Sequence, residues 1–121
     1  MTETELFALL DQALPGRVFE ALAPQGTPEP YVIYALIDGT ENNVMTGSVD
    51  LSHMNYRIDS YARSRRDARA IMRSVRALVK ACDGDPLLES RQDLYEQDTR
   101  IHRVSVVLST WYHEPEDEVQ P

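Results

Sequence analysis

Arg66, Arg69, Arg73, Arg76 and Lys80 are the residues of this chain best placed to do chemistry together. They step by 3, 4, 3 and 4 positions, which puts them in one row on a helix. The centre of that row lies roughly 140° from that of the neighbouring apolar residues. Such a row pairs with anions. Arginine outnumbers lysine four to one in it, and the planar guanidinium suits two parallel hydrogen bonds to a carboxylate. Like charges at these spacings repel by about 0.2–0.5 kcal/mol per exposed pair, a cost that acids on a facing surface would offset. The row is open to two readings: a solvated helix face, or a subunit interface that docks an acidic neighbour such as another copy of the chain.

Other reactive types are present without the spacing that catalysis or ligand binding needs. The five glycines (Gly16, Gly26, Gly39, Gly47, Gly84) fall where turns or helix ends are expected, and none builds a phosphate-cradling loop. No H-E-x-x-H or G-x-S-x-G occurs. His53, His102 and His113 lie far apart in sequence, and they read as surface or hydrogen-bonded histidines rather than metal ligands. Cys82 closes a helical stripe, where the negative helix end disfavours a thiolate, so it reads as a small core residue. Asp83/Asp85 and Glu116/Asp117 could meet a cation but read as solvated acids. Tyr31, Tyr34, Tyr56, Tyr61, Trp111 and Tyr112 could stack on bases; their strand spacing favours sheet packing. The expectation is no catalytic residue, no metal and no cofactor.

Composition bounds the rest. The chain has 121 residues, 42% hydrophobic and 26% charged, which suits one globular domain. The net charge of −8 argues against a specific nucleic-acid partner. It is unevenly spread: residues 1–64 carry −6, residues 65–82 carry +5, and residues 83–121 carry −7. The acidic start predicts no secretory signal, and no apolar stretch approaches membrane-spanning length, so a soluble protein with no membrane partner is expected.

The elements that must position these residues are legible from pattern. Thr2 and Glu5 form a capping box ahead of Leu6, Leu9, Leu10 and Ala13, an amphipathic helix that Pro15-Gly16 ends. A short strand is expected at residues 17–21, followed by a stiff connection with Pro24, Gly26, Pro28 and Pro30. Residues 31–37 are apolar almost throughout and predict an interior strand covered on both faces. Residues 38–50 predict a long polar loop. Residues 51–62 alternate, with Met54, Tyr56, Ile58 and Ser60 inward and His53, Asn55, Arg57 and Asp59 on a wet face. Ser64 and Asp67 begin a second helix whose stripe runs Ala68, Ile71, Met72, Val75, Leu78, Val79 and Cys82. Residues 92–96 predict a short strand and residues 102–112 a long one, with Val104, Val106, Leu108, Thr110 and Tyr112 on one face. The economical assembly is α+β: one mainly antiparallel four- to five-stranded sheet with two helices packed on one face. Residues 1–113 form this single domain, and residues 114–121 an acidic flexible tail.

Pro24-Gln25-Gly26-Thr27-Pro28-Glu29-Pro30-Tyr31-Val32-Ile33-Tyr34 resembles the Pro/Gly-rich approach to a P-Y-x-x-Y strand in siphophage tail-completion proteins. Arg57-Ile58-Asp59-Ser60-Tyr61-Ala62 with Asp67-Ala68 is similar to that family's second strand and long helix. Asp93-Leu94-Tyr95-Glu96 and Ser109-Thr110-Trp111-Tyr112 resemble its closing strands. The segments fall in family order over residues 6–113.

The resemblance implies a structural virion protein of a long-tailed phage or prophage. It would form a hexameric ring that terminates the tail tube and joins tail to head, touching the tube protein and the head connector (stopper). Its place would be the virion tail, and the host cytoplasm before assembly. On this reading Arg66, Arg69, Arg73, Arg76 and Lys80 make the subunit interface. DNA passing through the ring is a second candidate for the row, ranked lower because a lumen gripping phosphates would hinder ejection. Asn42, Asn43, Val44 and Met45 are the expected contact with tube or connector. The alternative is a small cytoplasmic adaptor domain that binds one acidic protein through the same basic helix.

Overall fold

The computed structural model describes residues 1–43, 50–82 and 86–113. Among these the order is α1 (Glu3–Ala13), β1 (Val18–Glu20), β2 (Tyr31–Asn43), β3 (Asp50–Ala62), α2 (Arg65–Lys80), β4 (Leu87–Glu96) and β5 (Ile101–His113). The strands form one sheet in the order β1-β2-β3-β5-β4. Only β1 and β2 pair in parallel; β2–β3, β3–β5 and β4–β5 are antiparallel. No helix of the described residues is long and apolar enough to cross a membrane.

Local chemistry explains the helix limits. Thr2 N–H donates to Glu5 Oε1 at 2.7 Å and Glu5 N–H to Thr2 Oγ1 at 3.2 Å, the reciprocal pair of a capping box. The chain then leaves α1 through Gly16, whose φ of 74° suits glycine. Ser64 Oγ accepts from Asp67 N–H at 3.0 Å and opens α2. Arg17 ties down the proline-rich connection by donating to the carbonyl oxygens of Pro28 and Pro30.

Both helices cover one face of the sheet. In register across β2, β3 and β5, that face carries the rows Val32–Ser60–Val104, Tyr34–Ile58–Val106 and Leu36–Tyr56–Leu108. Leu6, Leu9 and Leu10 from α1 and Ala68, Met72, Val75 and Val79 from α2 close over it. Ser60 Oγ donates to the Ala68 carbonyl at 2.9 Å, so the buried hydroxyl is satisfied where α2 meets β3.

Three expectations are corrected. Residues 38–43 are not loop but the far half of β2, paired down to Asn43↔Asp50. A register shift between Leu36 and Asp38 hides the continuation, because it breaks the alternation that marks a strand. Gly39 serves that ladder rather than a turn: a Cβ there would overlap Met54 Sδ. Residues 31–37 are not covered on both faces. Val32 and Tyr34 are buried, but Leu36 and Ile37 are 53% and 43% exposed. Among the described residues the far half of β2 also has an open edge, because β1 pairs only with residues 32–34. The short strand expected at residues 92–96 begins at Leu87.

Leu10→Ala removes a side chain with no exposed surface and should cost roughly 2–5 kcal/mol through lost burial and the cavity left behind. Leu36→Ala, at a half-exposed site, should cost well under half of that. Urea titrations of the two variants check this; equal midpoints would refute the difference in burial between the two leucines.

Candidate functional site

The basic row is held outward by the apolar stripe on the other side of α2, where Ala68, Met72, Val75 and Val79 are buried. Arg66, Arg69, Arg73 and Lys80 are exposed and Arg76 is half-buried. The row is not uniform. Arg69 pairs within its own chain, its Nη2 lying 2.7 Å from Asp93 Oδ2 and its Nε donating to the same oxygen at 2.9 Å. Arg91 Nε binds Asp93 Oδ1 at 3.1 Å. Hydrogen bonds from Arg91 and Arg69 hold the Asp93 carboxyl below the usual carboxylate range. Among the described residues Arg66, Arg73, Arg76 and Lys80 have no ion-pair partner.

No sequence pattern singles out Arg91. A second register shift, between Glu89 and Arg91, places Arg91 opposite Val106 and Asp93 opposite Val104, both on the helix-covered face. Without that extra residue Arg91 would point the other way. The shift therefore builds a cleft of about 320 Å³ between α2 and β4, lined by Arg69, Met72, Arg73, Arg76 and Arg91. The only sequence signal is a charged pair in a segment with no clear alternation. Such a cleft can bind carboxylates or phosphates through forked guanidinium donors.

Of the expected tube or connector contact, Asn42 and Asn43 lie at the end of β2, paired with Leu51 and Asp50. Val44 and Met45 lie outside the described residues.

The sheet face away from the helices carries a second set of polar and aromatic groups. Tyr31 and Tyr61 stack with ring centroids 4.9 Å apart, and Arg103 Nη1 donates to the Tyr61 hydroxyl at 3.4 Å. His53 stacks on Trp111 at 4.3 Å and is hydrogen-bonded to Ser109. His102 packs on Tyr95 on the helix-covered face and at the opposite end of the sheet, so the two histidines do not converge. No group of metal-ligating side chains assembles among the described residues. Asp59 was expected on a wet face but is only 6% exposed, between Ile33 and Ser105 in the register. Burial pushes its carboxyl above the ordinary value, while a hydrogen bond from Ser105 and the charges of Arg103 and Arg57 pull it back in part.

The family model for tail completion protein gp17 matches residues 2–113, nearly the whole described chain. The chain belongs to that family. It is accordingly a structural tail protein, in a family that is in general not enzymatic. The fold is similar to a chain in a structure titled "Virion of native gene transfer agent (GTA) particle". The TM-score is 0.57 at 10% identity, over 90% of this chain and 92% of that one. No curated protein matches the chain.

Asp59 yields a pH prediction. Its folded pKa lies above the unfolded value, so folding favours its protonated form and the associated stability is lost as pH rises through the folded pKa. Asp59→Asn should therefore be more stable than wild type at pH 7. That advantage should shrink to nothing as the medium is acidified toward about pH 4, the ordinary aspartate range. Thermal melts of both proteins across this span check it, and an advantage independent of pH refutes the assignment.

Proposed function

We propose that copies of this chain form a ring that terminates the tail tube and presents the surface on which the head connector docks. Membership of the tail completion family over residues 2–113 is the observation that carries this reading. A ring requires a head-to-tail contact, in which one patch meets a different patch of the next copy. The charge pattern supplies the means. Arg66, Arg73, Arg76 and Lys80 lack an acidic partner among the described residues. Outside residues 65–82 the chain carries net −13. A neighbouring subunit thus offers carboxylates to the four cations of the row that the described residues of their own chain leave without an ion-pair partner. The end of the β2–β3 ribbon, with Asn42 and Asn43 on it, is the projection offered to tube or connector, because long paired strands carry it away from the helix-covered core.

Electron microscopy of the protein mixed with its cognate tail tubes should show a ring capping one tube end. Deleting the gene should leave filled heads beside unattached, overlong tails; a normal virion yield sinks the tail-joining role. For the row, Arg66→Glu with Lys80→Glu is the cleaner charge reversal, because Arg69 already holds Asp93. An acid near the start of α2 and loss of a cation near its end act oppositely on the helix dipole, each by about 0.3–1 kcal/mol. The monomer should therefore stay folded while capping weakens and becomes less salt-sensitive. Unchanged capping at low salt would reduce the row to a solvated face.

A further inference from the structure

We propose that the arginine cleft between α2 and β4 receives the acidic segment 114–121 of a second copy of the chain. This rests on the reading that copies assemble, and adds the partner segment and a residue, Arg91, that lies off the helix row. Four arginines line the cleft and, among the described residues, one carboxylate, Asp93, pairs with them, which leaves three positive charges without a described partner. Arg73 and Arg76 have no ion-pair partner among the described residues, and Met72 adds an apolar patch to the lining. Residues 114–121 carry Glu114, Glu116, Asp117 and Glu118 against no base. No stretch of eight residues elsewhere in the chain matches that balance of four acids to no base.

Reach decides between the same copy and another. Arg91 pairs with Val106, so His113 lies roughly 23 Å further along β5 at about 3.3 Å per residue. Glu118 is five residues past His113 and can double back by at most about 18 Å fully extended. Glu114 and Glu116, one and three residues past His113, extend by at most about 4 and 11 Å. Glu114 falls short of Arg91 even with the length of both side chains added, so the four acids together reach Arg91 only from a neighbour. Within a ring that neighbour is always at hand, which raises the effective concentration of a weak contact. A duplex is the poorer occupant: the net charge of −8 repels a long polyanion, and the cleft holds a few side chains rather than a run of phosphates.

The test uses the full chain with its tail neutralised (Glu114→Gln, Glu116→Gln, Asp117→Asn, Glu118→Gln), so that its own segment cannot compete. A fluorescent peptide of residues 114–121 is the probe, read by anisotropy at low salt. Saturable binding is expected, weakened at least tenfold by Arg73→Gln with Arg91→Gln and lost in a peptide whose acids are amides. If the double variant fails to fold by circular dichroism, Arg91→Lys keeps the charge but not the fork, and weaker binding is again expected. No binding, or equal binding by folded cleft variants, overturns the proposal. So does an oligonucleotide that displaces the peptide and binds more tightly, which would mark the cleft as a phosphate site. On tail tubes, a neutralised tail that caps as well as wild type overturns the docking and leaves the ring standing. Failure of the wild-type chain to cap sinks the ring itself, and with it the second-copy partner.

Discussion

Ile58 sits with no exposed surface at the middle of the sheet, flanked in register by Tyr34 and Val106. That row and its neighbours make the apolar face that α1 and α2 must cover, and burial of such area is the dominant favourable term in folding. Everything else in the molecule is placed by which face was covered. Because α2 turns Met72, Val75 and Val79 inward, its arginines have only the outer side to occupy. Because the helices lie on one face only, the other keeps Tyr31, Tyr61, His53 and Trp111 at the surface of a bare sheet.

The two register shifts give this plain sheet its particular surfaces. Strand side chains alternate with period two, so one extra residue sends all later ones to the opposite face. In β2 the shift near Ile37 lets the ladder continue to Asn43 and gives the β2–β3 ribbon its length. In β4 the shift at Ser90 brings Arg91 and Asp93 under α2. Asp93 then serves as a local counter-ion that orders Arg69 and Arg91, both 43–45% exposed, without exhausting the positive charge around it. Exposed pairs of this kind contribute little to stability. Their consequence here is positional, since they hold two guanidinium forks at the mouth of one cleft.

Asp59 shows a related division. Its alternation with Ile58 and Ser60 correctly assigns it to the face opposite the helices. Facing away from the core did not mean facing water. A carboxyl between cross-strand neighbours Ile33 and Ser105, with the charges of Arg103 and Arg57 acting on it, is buried on that face. One carboxyl oxygen has no hydrogen-bond partner among the described residues, and a buried oxygen left so costs free energy.

Sequence alone determined the features that depend on short-range periodicity and end chemistry. Both helices, their Thr2–Glu5 and Ser64 caps, the inward faces of β3 and β5, and the outward row on α2 are set within one or two turns, or within a few residues of strand. These are local choices between two periods, 3.6 and 2, and the apolar residues state them directly. The features that arise from pairing between distant residues were decided only by the tertiary structure. It extended β2 through residues 38–43, left Leu36 and Ile37 exposed, and put Arg91 beside Arg69 across 22 positions of chain. Those outcomes depend on single-residue bulges and on which strand edge finds a partner. Neither leaves a periodic trace, because a bulge interrupts the very alternation by which a strand is recognised.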